Sequence, residues 1–291
     1  MRLTNRYNLP TEIVRAIEND PYSKGEADIS VTEVIGPPRI RVLKKRYPDE
    51  CVEDVADRLF TLYGQAVHTI LERAAHSNVI TEERRSIQME GWVISGAADV
   101  FDPDRLLLRD YKFVGVGSIF SGLKPEWEAQ LNCYAHIWRE TGTPVEELQI
   151  ACLFRDWVKT QAEQKADYPP PILLMDVPVW PDEDAADYLR QRVLLHQDAE
   201  KKQDAELPIC TPEERWDRGE YWVVKKKGRK TALRRCESGE EAAQLCLEYQ
   251  TNDPRHEYYI EQVPPNPVRC RLYCPCLPVC EAGQRFLEGA R

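Results

Sequence analysis

The chain has no apolar run of membrane-spanning length, and its first residues, MRLTNRYNLPTEIVRAIEND, contain no hydrophobic signal region. An intracellular, cytoplasmic protein with no membrane partner is expected. A basic surplus is also missing: 39 Lys and Arg against 49 Asp and Glu give a formal net charge of −10. That excludes a generally basic nucleic-acid coat but not a local groove, because phosphate binding depends on nearby cations. Arg39 to Arg46 (RIRVLKKR) and Lys225 to Lys230 (KKKGRK), with Arg234 and Arg235 close by, are the two candidate grooves. Charge runs are more often solvated surface. The glycine-rich stretch Gly115 to Gly122 (GVGSIFSG) lacks the P-loop lysine pattern, so it reads as a flexible loop.

Of the 291 residues, 30% are charged and 42% hydrophobic, which is the composition of a soluble globular protein. The length suits one large α/β domain or two smaller ones. Ten cysteines without an export signal point to metal binding or buried thiols rather than disulfides.

Apolar spacing predicts a helix over Thr11 to Glu18 and a longer one over Val52 to His76, where Val55, Leu59, Leu62, Ala66, Ile70 and Ala74 form a stripe. His68 lies beside that stripe, and the small Gly64 one turn earlier leaves room for a close approach. Asp28 to Ile35 reads as a strand or helix start, with Ser30 or Thr32 as a cap. Pro125 opens a helix reaching about Glu140, Leu148 to Trp157 is a buried strand, and Ile172 to Val179 is a strand suited to a sheet edge. Asp182 to Glu206 forms a long charged helix, with His196 structural or solvent-facing. A short helix is expected over Gly239 to Tyr249.

Trp92 to Lys112 (WVISGAADVFDPDRLLLRDYK) carries the first chemical signal. Two extended runs flank a turn at Asp102-Pro103-Asp104, so they pair antiparallel. With Pro103 and Asp104 as the loop, Asp99 faces Leu108 and Ala97 faces Asp110. Asp99, Asp110 and Lys112 then share a face. In the helix that follows, Gln130 and Tyr134 lie four apart and project from one side. Taken alone, these are compatible with a solvated strand face, a surface glutamine and a core tyrosine.

Cys270, Cys274, Cys276 and Cys280 fall within eleven residues. Packing does not require such density, so metal binding leads. An iron–sulfur cluster needs four thiolates, and zinc held by four thiolates is the direct competitor. Cys274 and Cys276 form a tight bite, which favours Cys210, Cys270, Cys274 and Cys280 and leaves Cys276 as the alternative fourth ligand. Cys51, Cys133, Cys152, Cys236 and Cys246 read as ordinary residues in or beside apolar elements.

In order along the chain, GQAVH ending at His68, SGAADV with Asp99, DYK from Asp110 to Lys112 and QLNCY from Gln130 to Tyr134 resemble the PD-(D/E)XK nuclease superfamily. The similarity is to its RecB-like and phage-type exonuclease branch with a C-terminal iron–sulfur cluster, related to AddB and CRISPR-associated exonucleases. SVTEVIGPP near residue 30, CTPEERW at 210 and the YCP…C ending extend it. The resemblance implies an α/β fold: a restriction-endonuclease-like core, a mixed sheet flanked by helices, with a C-terminal cysteine-ligated cluster subdomain. The expected divisions are 1–50, an N-terminal helical, substrate-contacting region; 51–206, the nuclease core; and 207–291, the cluster subdomain.

The same resemblance assigns roles. His68, Asp99, Asp110 and the Tyr111 carbonyl would ligate Mg²⁺ or Mn²⁺, Lys112 would activate water and stabilise phosphate charge, and Gln130 and Tyr134 would position the site and the strand. Cys210, Cys270, Cys274 and Cys280 would hold a [4Fe-4S] cluster, with structural Zn²⁺ as the alternative. Cys276 departs from the pattern, where relatives commonly carry an apolar residue. The implied function is a divalent-metal-dependent DNA nuclease, a single-strand-preferring exonuclease of bacterial or phage origin. Its expected partners are DNA, single-stranded or with free ends, and recombination or replication proteins. The alternative is a non-cleaving nucleic-acid-binding or assembly factor on the same fold.

Overall fold

A computed structural model describes residues 1–19 and 24–289. In chain order the elements are β1 (Arg2–Thr4), α1 (Thr11–Glu18), β2 (Ile29–Ser30), α2 (Val31–Val34), α3 (Pro38–Arg46), β3 (Val52–Asp54) and α4 (Leu59–Ala74). Then come β4 (Ile80–Met89), β5 (Trp92–Asp102), β6 (Leu107–Val114), α5 (Pro125–Glu140), β7 (Glu147–Phe154), α6 (Lys159–Gln164), β8 (Ile172–Val177) and α7 (Asp182–Lys201). Last are β9 (Tyr221–Lys226), β10 (Arg234–Cys236), α8 (Gly239–Asn252), β11 (Tyr258–Val263), α9 (Val268–Leu272) and α10 (Glu281–Gly289). The chain divides into two compact units, one of residues 3–42 and 54–206, the other of residues 1–2, 43–53 and 207 onward.

The larger unit is built on a mixed six-stranded sheet. The path β2-β5-β6-β7-β8 is joined by β4, which lies along β5. β5 pairs antiparallel with β4 along nearly its whole length, while its other edge takes β2 at Ile94 and Ser95 and β6 from Val100 to Asp102. Strands β6 and β7 run parallel, as a helical crossover through α5 requires. Helix α5 packs on the sheet face bearing Leu108, Ile150 and Cys152, and α7 packs on α5, closing the main core around Leu131, Ile137, Trp138, Leu189 and Val193. Tyr111 and Phe113, whose side chains alternate to the opposite face, meet α4 through His68 and Tyr63. The architecture is therefore a mixed α/β sheet flanked by helices.

Several local expectations change. The hairpin register is shifted by two: Phe101, not Asp99, faces Leu108, because the connection spans Pro103 to Leu106 and ends with Leu106 in the left-handed region at φ 54°. A shift of two preserves the face, so the grouping of Asp99, Asp110 and Lys112 survives. Strand β4 has no place in the sequence reading, since ITEERRSIQM is too charged to look like a strand. Its hairpin signal is Glu90-Gly91, both at positive φ, between the paired Met89 and Trp92. The Val52 to His76 helix begins later, after strand β3 and a 3₁₀ turn over Val55–Arg58. The expected stripe is core only at its start: Val55 is buried, Leu59 and Leu62 are half-buried, and Ala66, Ile70 and Ala74 are exposed, with no residue of α4 itself buried.

Ser30 caps α2 through a capping box with Glu33, and α7 ends at Lys201, short of a 3₁₀ turn over Asp204–Glu206. The RIRVLKKR run is helix α3. Its Arg39 is buried, and Arg41 pairs with Glu200 at 2.8 Å and lies over the Trp92 ring, while Lys44 and Lys45 are exposed. His196 is fully buried, its Nε2 3.0 Å from the Val34 carbonyl.

In the second unit, β9 is flanked by β10 and β11 in an antiparallel sheet whose Trp222, Val224 and Cys236 pack with Ala242, Leu245 and Tyr249 of α8. Lys225 and Lys227 bond to Glu261 and Glu257 at 2.7 and 2.6 Å, which neutralises part of the second basic run.

Candidate metal and phosphoryl-transfer site

The candidate site forms where β5 and β6 part. Their ladder stops at Val100 opposite Arg109, and continuing its register sets Asp99 across from Asp110. With the backbones no longer bonded there, Asp99 Oδ2 takes the Tyr111 amide at 2.6 Å and holds the open end together. Asp99 and Asp110 are 8% and 3% exposed. Two buried carboxylates this close resist ionising together. Burial, then the Asp110 charge, pushes the Asp99 pKa up to about 8, against the opposing pull of His68 and the Tyr111 amide.

Lys112 and Gln130 organise the second carboxylate. Lys112 Nζ lies 2.7 Å from Asp110 Oδ2 and donates to Gln130 Oε1 at 2.8 Å. Gln130 Nε2 donates to Asp110 Oδ1 at 3.2 Å and to the Tyr134 hydroxyl at 2.9 Å. Gln130 is buried rather than a surface residue, and every atom of its amide is engaged. The close approach in this region is made at Gly96, not Gly64. A Cβ on Gly96 would stand 2.6 Å from the Tyr134 ring, whereas one on Gly64 would meet nothing within 4 Å. Glycine in SGAADV is thus what lets Tyr134 lie against β5 and reach Gln130.

His68 approaches from α4, with Nδ1 3.5 Å from Asp99 Oδ1 and 3.3 Å from Glu82 Oε1. The hydrogen bond to Glu82, assisted by the Asp99 and Asp110 charges, raises its pKa to about 9 against the opposing effect of burial. Glu82 is a residue the sequence reading missed. It falls opposite Asp99 in the β4–β5 register, at the one step where Thr81–Val100 and Glu83–Ala98 pairing is interrupted, and it takes φ 52°. A left-handed, non-glycine residue inside a strand is uncommon and re-aims its side chain. Only the acid-rich TEERR string could have hinted at it.

The donor atoms of His68, Glu82 and Asp99 lie within 4.8 Å of one another, close enough together to share a divalent cation. Asp110 adds a carboxylate oxygen, Oδ2, that is buried and receives no well-directed hydrogen bond, its near neighbour being the Lys112 ammonium. Carboxylate oxygens plus one imidazole fit Mg²⁺ or Mn²⁺. Tyr111 meets the site through its amide, bonded to Asp99, and its ring stands edge-on to His68.

The glycine-rich loop is a 3₁₀ turn over Val116–Ile119 beside a cavity of about 270 Å³ also lined by Asp156, Lys165 and Asp167. Asp156 accepts from the Val116 amide at 2.7 Å, which ties the loop to the end of β7.

In the second unit, Cys274, Cys280 and Cys270 are near enough to Cys210 to raise its pKa, but no three of these thiols lie within 4.8 Å of one another. Burial pushes Cys210 up to about 12 and Cys270 to about 11, while hydrogen bonding from Cys276 draws Cys274 down to about 6. Besides Cys274, Cys276 meets the buried Cys51, whose Sγ lies 3.3 Å from its own. Arg215 Nε is buried without an acceptor, and its guanidinium is close enough to lower the Cys270 pKa. The rest of that guanidinium is engaged: Nη1 donates to the Cys210 carbonyl, and Nη2 lies 3.4 Å from the Asp217 carboxylate.

No protein-family model matches the chain, and no curated protein matches it. Solved structures with some likeness include that of SSO0001, 17% identical over 63% of this chain and 84% of that one at a TM-score of 0.45. Another is a phage-related exonuclease from Haemophilus somnus 129PT, 15% identical over 64% of this chain and 77% of that one at a TM-score of 0.28. At these identities and scores neither bears on what the site does. No described helix is long and apolar enough to cross a membrane.

Proposed function

We propose that the chain is a divalent-metal-dependent nuclease of the PD-(D/E)XK type that hydrolyses phosphodiester bonds, with single-stranded DNA ends as its preferred substrate. The observation that carries this reading is the convergence, on one splayed hairpin end, of two buried carboxylates, the lysine bonded to one of them, and a histidine–glutamate pair beside the other. His68, Glu82, Asp99 and Asp110 would hold Mg²⁺ or Mn²⁺. Bound there, such an ion supplies a lowered water pKa and neutralises phosphate charge.

The remaining work falls to the chain's own groups. Asp110 and Gln130 fix the Lys112 ammonium from two sides, so its charge stands ready where the phosphate oxygens gain negative charge, without reorganisation at the moment of reaction. Tyr134 fixes Gln130, and the Tyr111 amide fixes Asp99. Asp110→Asn should lower Mg²⁺- or Mn²⁺-dependent cleavage of an end-labelled single strand about a thousandfold. Wild-type cleavage by that variant would remove the site. Tight binding without product in either metal would favour a non-cleaving assembly factor.

Cys210, Cys270, Cys274 and Cys280 would hold a structural [4Fe-4S] cluster in the second unit, with Cys276, which contacts both Cys274 and Cys51, outside the ligand set. A brown protein absorbing near about 400 nm is expected, with the band lost in Cys280→Ser. A colourless protein with one equivalent of zinc would replace iron with zinc in this reading.

A further inference from the structure

The first two turns of α4 carry a row of rings that the core does not use. Phe60 and Tyr63 are 50% and 48% exposed, although both are large and aromatic. Their ring centroids lie 6.3 Å apart, and Tyr63 in turn stands edge-on to Phe113 of β6 at 6.4 Å. At the outer end of the row, the exposed Arg155 lies over Phe60, with Cζ 3.7 Å from the ring centroid. No carboxylate pairs with this guanidinium among the described ion pairs, so its charge faces solvent. At the inner end, His68 lies eight residues after Phe60 on the same helix, about 12 Å along its axis, and touches Asp99 and Glu82.

We infer that Arg155, Phe60 and Tyr63 form a stacking platform that receives the unpaired bases of a nucleic-acid strand and feeds it to the carboxylate site. The inference rests on the nuclease reading for its direction and deepens it by assigning the single-strand preference to named side chains. Three features favour this occupant over a protein. Exposed rings present π-faces that any base can stack on, a guanidinium over a ring adds cation–π attraction and a phosphate partner, and the row runs towards groups suited to phosphate chemistry. A paired duplex hides its base faces and gains only the Arg155 charge. The platform therefore separates single from double strands by what each can offer.

The test measures binding of the full-length chain, with Ca²⁺ replacing Mg²⁺ and product formation checked on the same samples. Its probes are a fluorescent single-stranded DNA, a blunt duplex and an abasic strand of equal length. Phe60→Ala and Tyr63→Ala should each weaken single-strand binding about tenfold and leave duplex and abasic binding nearly unchanged. Phe60→Trp should restore single-strand affinity, which separates stacking from misfolding. Equal affinity of wild type and both alanine variants for the single strand overturns the platform. So does a change in sedimentation of Phe60→Ala and Tyr63→Ala without a change in DNA binding, since the face then joins copies of the chain. Ring-dependent binding with no cleavage in any metal keeps the platform and fails the nuclease reading. Cleavage that needs Asp110 but ignores the rings does the reverse.

Discussion

Helices α4 and α5 are both sixteen residues long and both serve the site, yet eleven residues of α5 are buried and none of α4 is. Helix α5 lies between sheet and α7, and even its polar residues are tied down. Asn132 bonds to the Glu128 and Pro178 carbonyls and the Trp180 amide, and Gln130 bonds to Asp110, Lys112 and Tyr134. Helix α4 rests on β6 with its Phe60, Tyr63 and Ile70 in solvent. The site is thus half fixed and half open. The charge-bearing Lys112 sits on the rigid side, where a fixed position matters for catalysis, and His68 rides on the side a substrate strand can reach.

The same substitution made in both helices tests that contrast. Ile137→Ala in α5, fully buried, should cost about 2–5 kcal/mol in urea unfolding, and Ile70→Ala in α4, more than half exposed, should stay within about 0.5 kcal/mol. Equal losses would mean that α4 is packed as tightly as α5. A smaller effect concerns acid. His196 of α7 is buried against the Val34 carbonyl, and burial, aided by the Arg192 charge, lowers its pKa to about 4. Its unfolded form takes up a proton near pH 6.5, before the folded form does. Its contribution is therefore full above that pH and is lost as pH falls from about 6.5 to 4, by roughly 2–3 kcal/mol. In His196→Gln that part of the pH dependence should disappear. An unchanged acid midpoint in this variant would show that the α5–α7 layer does not depend on a neutral His196.

The rigid half was the legible half. Pro125 at the start of α5 and the apolar run of β7 mark their elements in sequence, and a side-chain period of two kept Asp99, Asp110 and Lys112 together even with the hairpin register misjudged by two. What escaped notice depended on tertiary context. Strand β4 is so charged that only its partner β5 makes it a strand, and Glu82 enters the site through a backbone distortion no propensity encodes. The stripe from Val55 to Ala74 has helical period, yet after Val55 it is only half-buried at Leu59 and Leu62 and exposed at Ala66, Ile70 and Ala74, because periodicity reports a helix and not what covers it. Gln130 is legible only through the motif resemblance: the pattern of its helix alone would leave it at the surface, and Asp110, Lys112 and Tyr134 are what enclose it.

The central claim is that Lys112 acts on phosphate charge beside a separately held divalent ion. Mn²⁺ binding and cleavage of an end-labelled single strand, measured together on Lys112→Ala, test it most directly. Mn²⁺ should still bind through His68, Glu82 and Asp99 while cleavage falls by about a hundredfold or more. Cleavage at the wild-type rate with Mn²⁺ bound would contradict the account.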